Sequence, residues 1–347
     1  LFGALPVEGI VLKKVFILLT GIAATVPAVA SYELALMMGT NPAGEELIHR
    51  FDPVTSSTLG SFGGNGDFGT NGFGTSRLAV SKQYPGQVEI LNADGAVRRF
   101  DYSTGLYKGG FSTGQTTFFG NGPMSIITTN TGYVYTGYTG PAPTKQRSVR
   151  LNNAGGFLGE FNPFGPVYEP LSVAESANGN LHVLNRVQSA GVWDYYIFSF
   201  NSQGGYLGFS NLGANASGNL YGSIQATGNN LLIGPAASNT TRSMVLISQT
   251  PSSSPAAVGG IWNTGAGWTR IAKGHNGRLH WVQSTFNAGT YINRWHTYDP
   301  LVNNTSSRLM PYTGLITDID IVVAPEPGTL AILGLGGLIL ARRKKKS

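Results

Sequence analysis

Apolar and polar residues alternate in short runs along most of this chain, and turn residues separate the runs. In 93–111, ADGAVRRFDYSTGLYKGGF, a turn leads into an alternating run that ends in aromatic-Asp. A second turn with Gly follows, then a short run closing on an aromatic. Alternation of period two is the mark of half-buried strands. Weaker copies of the phrase stand at 48–62, 149–161, 198–209, 245–258 and 296–309. The residue after the aromatic or aliphatic position is Asp52, Asp101, Asn152, Asn201, Ser248 and Asp299, at spacings of 49, 51, 49, 47 and 51. A second marker, a turn glycine at Gly86, Gly132, Gly179, Gly228 and Gly277, recurs at spacings of 46, 47, 49 and 49. Two markers on one period, with several strands per unit, predict the blades of a β-propeller.

The fourth unit parses into four strands at 171–176, 180–185, 195–200 and 205–210, with turns at Asn178-Gly179 and Gly204-Gly205. Matching innermost strands are expected at 77–82, 124–128, 220–225 and 269–273. The first unit lacks an innermost strand: 33–38, 46–51 and 58–62 read as its second, third and fourth. At the other end 317–323, TDIDIVV, is a first strand without followers. Joining the two ends completes a blade and leaves no unpaired inner edge. The fold class is therefore all-β: six four-stranded blades over 31–324, closed by the N- and C-terminal strands.

One face of such a body carries the connections between second and third strands and between blades. Here those read as long and irregular: 39–45, 138–146, 186–194, 234–242 and 283–290, with 63–76, 112–122, 162–170 and 211–219. The other face carries tight turns. Length variation on one face marks a working face, and Phe73, Phe119, Trp193 and Phe286 are its candidate stacking residues. Asp52, Asp101 and Asp299 read as turn residues whose carboxylates accept the following backbone N–H groups.

Charge changes the picture only at the ends. The net charge is +6, but seven of the 23 basic residues and two of the 17 acidic ones lie outside 31–324. The body thus holds 16 basic and 15 acidic residues, a net of +1, which argues against nucleic-acid binding. No Cys is present, so thiol chemistry and disulfides are absent. Lys13-Lys14 precede an apolar run ending Ala28-Val29-Ala30 before Ser31. A charged start, a short apolar core and small residues at −3 and −1 predict a signal peptide over 1–30, cut by signal peptidase after Ala30. No Met precedes Lys13, and a start near Val11 would give the usual leader.

The other end reads Pro325-Glu326-Pro327, an apolar stretch over 328–341, then Arg342, Arg343, Lys344, Lys345 and Lys346. These three parts in this order resemble the PEP-CTERM sorting signal, over 325–347. The resemblance implies export, recognition by an exosortase, and release to the cell surface or an extracellular polysaccharide matrix. The 14 residues of 328–341 would give a helix about 21 Å long against about 30 Å of hydrocarbon, a transient inner-membrane anchor with its basic end on the cytoplasmic side.

Candidate chemistry in the body is sparse. Five His residues are scattered, with His182 and His280 at one repeat position, three after the hairpin Gly, where another blade has Tyr135. They read as packing residues, and 63–68, GGNGDF, as a flexible loop rather than a calcium repeat. Glu169 and Asp318 stand at inner-strand starts beside Arg77 and Arg270. Six-bladed hydrolases of the gluconolactonase type gather carboxylates round an axial calcium, which takes six to eight oxygens; here ion pairs explain the carboxylates more simply. The body resembles NHL-type propellers in layout. The expectation is a non-catalytic, cofactor-free surface or matrix protein that binds or scaffolds polysaccharide or another surface partner. A calcium-dependent hydrolase or lyase is the alternative.

Overall fold

The computed structural model describes residues 32–40, 45–63, 76–92, 94–114, 118–139, 145–161, 168–215, 221–235, 242–262, 267–274 and 277–324. The chain divides into Glu33–Val322 and a second unit made of its two ends, Leu1–Tyr32 and Val323–Ser347. Only 32, 323 and 324 of the second are described. The expected signal peptide with Ala28, Ala30 and Ser31 lies outside the described residues. So do Pro325 to Pro327, the apolar stretch, the basic tail and Phe73.

The first strands in chain order are β1 (Tyr32–Thr40), β2 (Glu46–Phe51) and β3 (Thr58–Phe62). β4 (Arg77–Val80), β5 (Gln87–Leu91), β6 (Ala96–Asp101) and β7 (Tyr107–Ser112) make the second blade. β8 (Phe118–Thr129), β9 (Gly132–Thr139), β10 (Lys145–Asn152) and β11 (Phe157–Glu160) make the third. β12 (Glu169–Glu175), β13 (Leu181–Ser189), β14 (Val192–Phe200) and β15 (Tyr206–Asn215) make the fourth. β16 (Tyr221–Thr227), β17 (Asn230–Pro235), β18 (Arg242–Ser248) and β19 (Ala256–Trp262) make the fifth. The sixth has β20 (Gly267–Trp268) and β21 (Ala272–Lys273) beside β22 (Leu279–Asn287), then β23 (Thr290–Asp299) and β24 (Asn304–Leu309).

β25 (Ile316–Ala324) pairs with β1 in the order β25-β1-β2-β3. This is the end-to-end closure that the unmatched 317–323 run predicts. The Thr40 N–H donates to the Leu315 carbonyl at 2.8 Å across that junction. Around the axis, β4, β8, β12 and β16 pack on one another in turn.

Hydrophobic clusters form between neighbouring blades. Leu184, Tyr195 and Ile197 of the fourth pack on Ile224, Ile233 and Val245 of the fifth. Phe51 and Ile319 pack on Val282 and Trp295 across the closure. The inner strands, such as β12, are thus buried on both faces between neighbouring blades, whereas the outer strands β3, β7, β11 and β24 are largely exposed.

The two repeat markers are turn chemistry. At all six marked positions the side chain accepts a backbone N–H two residues on, as at Asp52 to Val54 (2.7 Å), Asp101 to Ser103 (3.0 Å) and Asn201 to Gln203 (3.0 Å). Ala154 to Asn152, Thr250 to Ser248 and Leu301 to Asp299 complete the series. Just beyond, the outer strands of the first four blades carry a bulge with Gly60, Gly109, Gly159 or Gly208 at positive φ. A bulge twists an exposed edge away from edge-to-edge pairing.

Several expectations need correction, and of the expected connections 112–122 and 211–219, residues 118–122 belong to β8 and 211–215 to β15. The stretches 186–194 and 283–290 are not irregular loops. β13 and β14, and β22 and β23, run on to two-residue turns, Ala190-Gly191 (φ 50° and 79°) and Ala288-Gly289 (φ 47° and 88°). Paired positive φ values are the type I′ geometry that matches strand twist. The innermost strand expected at 269–273 is interrupted between β20 and β21. Finally, the position of His182 and His280 is occupied in the third blade by Val134, not Tyr135. Thr129 pairs with Gly132, so that hairpin turn is shorter, and Val134 faces Arg150 as His182 faces Ser199.

Candidate functional site

The interruption in the sixth blade aims Arg270 at the axis. The Thr269 hydroxyl accepts the Val282 N–H at 2.9 Å, in place of a ladder carbonyl. A bulge of this kind redirects the neighbouring side chain. Arg270 Nε donates to Asp318 Oδ1 at 2.9 Å and to the Ile319 carbonyl at 3.1 Å. Its Nη1 donates to the Ile126 carbonyl at 2.8 Å, and its Nη2 to the Leu78 carbonyl. One guanidinium therefore ties β25, β4 and β8 to the sixth blade. Asp318 is fully buried, and its Oδ2 accepts the Leu78 N–H at 2.9 Å. Burial pushes its carboxyl up, against the pull of Arg270 and Arg77. Asp320 adds a contact of 3.3 Å to Arg270 and accepts the Val80 N–H at 2.8 Å.

Glu169, the other carboxylate singled out by sequence, bonds Arg186 at 2.7 Å. Arg186 in turn lies 4.3 Å over the ring of Trp193. Among the described residues no three His, Asp or Glu side chains gather as a metal would need. A calcium site on the six to eight oxygens that ion takes does not fit these two arginine-paired carboxylates.

Removing one partner of a buried ion pair costs about 3–5 kcal/mol, because the other charge is left uncompensated. Arg270→Ala should destabilise the protein by that amount in chemical denaturation. Arg270→Met combined with Asp318→Asn should cost less than the two single changes added. A loss below about 1 kcal/mol for Arg270→Ala would show that the pair does not hold the axis.

Of the four proposed stacking residues, two have described side chains. Trp193 is half-buried, packed against the cluster between the fourth and fifth blades and capped by Arg186. Phe286 is 63% exposed beside its cross-strand partner Tyr291, with ring centroids 5.1 Å apart. Phe119 lies on β8, with its side chain outside the described set, and Phe73 is outside altogether. Tyr291, which sequence reading missed, is the repeat counterpart of Trp193, since each is second after its Ala-Gly turn. The matching turns were the available signal.

The remaining site element is the end of β25 at Ala324, followed at once by Pro325-Glu326-Pro327. Residues 323–346 match the PEP-CTERM protein-sorting motif. The PEP-CTERM match starts two residues before the Pro-Glu-Pro, inside the closing strand. The motif implies export, processing by an exosortase and sorting to the cell surface. No curated protein sequence matches the chain. Among solved structures the chain is similar to apo AztD from Citrobacter koseri, at 9% identity and TM-score 0.44, over 84% of this chain and 98% of that one. It is also similar to a candidate 6-phosphogluconolactonase from Bacteroides uniformis, at 13% identity and TM-score 0.49, over 84% and 99%. A third, a candidate 6-phosphogluconolactonase from Bacteroides fragilis, has 10% identity and TM-score 0.47, over 85% and 99%. Likeness this distant says nothing of what this chain binds or catalyses.

Proposed function

We propose that the propeller is a non-catalytic module that binds or scaffolds a polysaccharide, or another surface polymer, at the cell surface or in the extracellular matrix. Signal peptidase would remove 1–30, and 328–341 would anchor the chain transiently in the inner membrane until exosortase acts. The observation that carries the reading is Phe286, 63% exposed near the tip of its hairpin, with the half-buried Tyr291 ring against it on the same face. Flat apolar rings held by a strand offer contact area at small entropy cost. The reading is supported further by the pairing of Asp318 and Glu169 with arginines rather than with each other.

Phe286→Ala or Tyr291→Ala should weaken binding to extracted matrix polymer by on the order of 1 kcal/mol or more each. A body of net charge +1 should bind almost equally well in low and high salt. Undiminished binding by both variants, or loss of binding in moderate salt, would overturn the reading.

A further inference from the structure

The face of tight turns carries a pocket of about 500 Å3 between the fourth and fifth blades. Its origin is visible in the repeat. Opposite the second strand, the third strand carries Arg50, Arg99 and Arg150 in the first three blades, at positions facing Leu36, Glu89 and Val134. Arg50 donates to the Ser103 carbonyl in the turn of the next blade, and Arg150 to the Ser202 carbonyl at 2.9 Å. In the sixth blade the position holds Thr297, and Arg308 from β24 crosses instead to the carbonyls of Pro53 and Val54. In the fifth it holds Leu246, packed against the next cluster. In the fourth it holds Ser199, and Ser210 stands where β24 has Arg308. Neither serine bonds the next blade's turn; the backbone bridges the junction instead, Ser252 N–H to the Phe209 carbonyl at 2.9 Å, and the space inward of that bond is left open.

We propose that this opening is a binding site for a neutral, hydroxyl-rich ligand such as a short saccharide. The lining contains no Asp, Glu, Lys or Arg. Asn178, Asn180, Asn229, Ser199 and Ser248 supply amides and hydroxyls, which both donate and accept and so match vicinal hydroxyl groups, while Gln249, whose Nε2 donates to the Gly228 and Asn230 carbonyls, offers its side-chain oxygen as an acceptor. Leu207, 48% exposed, and Pro251 give it an apolar wall for the C–H side of a ring. His182 closes the base, its Nδ1 2.9 Å from Ser199 Oγ and its Nε2 3.3 Å from Ser176 Oγ. Burial holds it neutral, with a pKa lowered to about 4, so the lining stays uncharged at neutral pH. The volume falls within the range of about 300–1,000 Å3 usual for small-molecule sites. The inference stands apart from the Phe286 surface, which lies at the other end of the strands.

The test titrates the full-length protein with cellotriose, maltotriose and xylotriose, with trigalacturonate as the charged control. At least one neutral trisaccharide should bind, with affinity unchanged between low salt and about 1 M salt. Ser199→Arg restores the residue type of the first three blades, fills the opening, and should weaken that binding by about tenfold or more. Asn180→Ala combined with Asn229→Ala should do the same without adding bulk, which keeps the test valid if Ser199→Arg fails to fold. The proposal is overturned if none of the three sugars binds, if binding survives both changes, or if the control binds as well. Binding lost only in Phe286→Ala would overturn the pocket and uphold the aromatic surface. The reverse pattern would uphold the pocket and leave the aromatic surface without support.

Discussion

Acidification from neutral pH to about pH 4 should unfold the propeller, with most of the loss above pH 4. His49, His182, His280 and His296 are all buried, and burial lowers each pKa to about 4. In the unfolded chain the same groups titrate near 6.5. Between those values the unfolded chain binds more protons than the folded one, so stability falls as pH falls and levels off below the folded pKa. Each imidazole accounts for a loss on the order of 2 kcal/mol by pH 5, and four for about 8, against total stabilities of about 5–15. Glu46, Glu89 and Asp318 act with the opposite sign. Burial raises their pKa values, so protonating them in the folded state offsets part of the loss. Tryptophan fluorescence reads the event directly. The Trp295 Nε1–H donates to His280 Nδ1 at 3.2 Å, and the Trp281 ring stacks on His296 with centroids 5.3 Å apart. A protein that keeps its native fluorescence and circular dichroism at pH 4 would show that these imidazoles do not control stability.

Deleting 317–323 should leave no folded propeller at room temperature. The deletion removes Ile319, Ile321 and Val322 from the closure cluster and from the inner edge, all buried. At about 1.5–3 kcal/mol per large aliphatic side chain, these three account for roughly 5–9 kcal/mol. It also strips Asp318 and Asp320 from Arg270, which leaves a buried cation unpaired. The sum is comparable with the whole stability of an ordinary domain. Thermal melting followed by circular dichroism decides the matter, and a truncated protein that melts with the full one would mean that closure contributes little. The contrast with removing an outer strand is instructive. β24 is largely exposed, and its loss takes away mainly the Arg308 contacts to the first blade.

The repeat was legible because its markers are local. An Asp, Asn or Ser that must accept an N–H two residues on recurs in all six blades, and a Gly that must turn the chain recurs in five. Closure was legible because 317–323 had no followers and 33–38 no predecessor. The hairpins at 181–200 and 279–299 were not, because Ala-Gly after a polar residue looks like any loop. Only the cross-strand register shows that Gln188 faces Trp193 and Phe286 faces Tyr291. The axis was half legible. Asp318 and Arg270 were singled out, but the bulge at Thr269 that turns Arg270 inward depends on a hydroxyl replacing a carbonyl, and alternation carries no trace of it. The pocket depends on a residue that is small where its repeat mates are long. Ser199 was in view as part of the repeat, yet its meaning needed the contacts that Arg50 and Arg150 make.

β25 has a mechanical role as well. Its last residue, Ala324, is followed with no spacer by Pro325, so any tension on the sorting tail enters the body through the strand that holds the ring shut. Along that strand lie the Thr40–Leu315 backbone bond and the Asp318 bonds to Leu78 and Arg270. The strand whose loss should unfold the body is thus also its towing point. A pull applied beyond Ala324 would therefore be borne first by the closing strand.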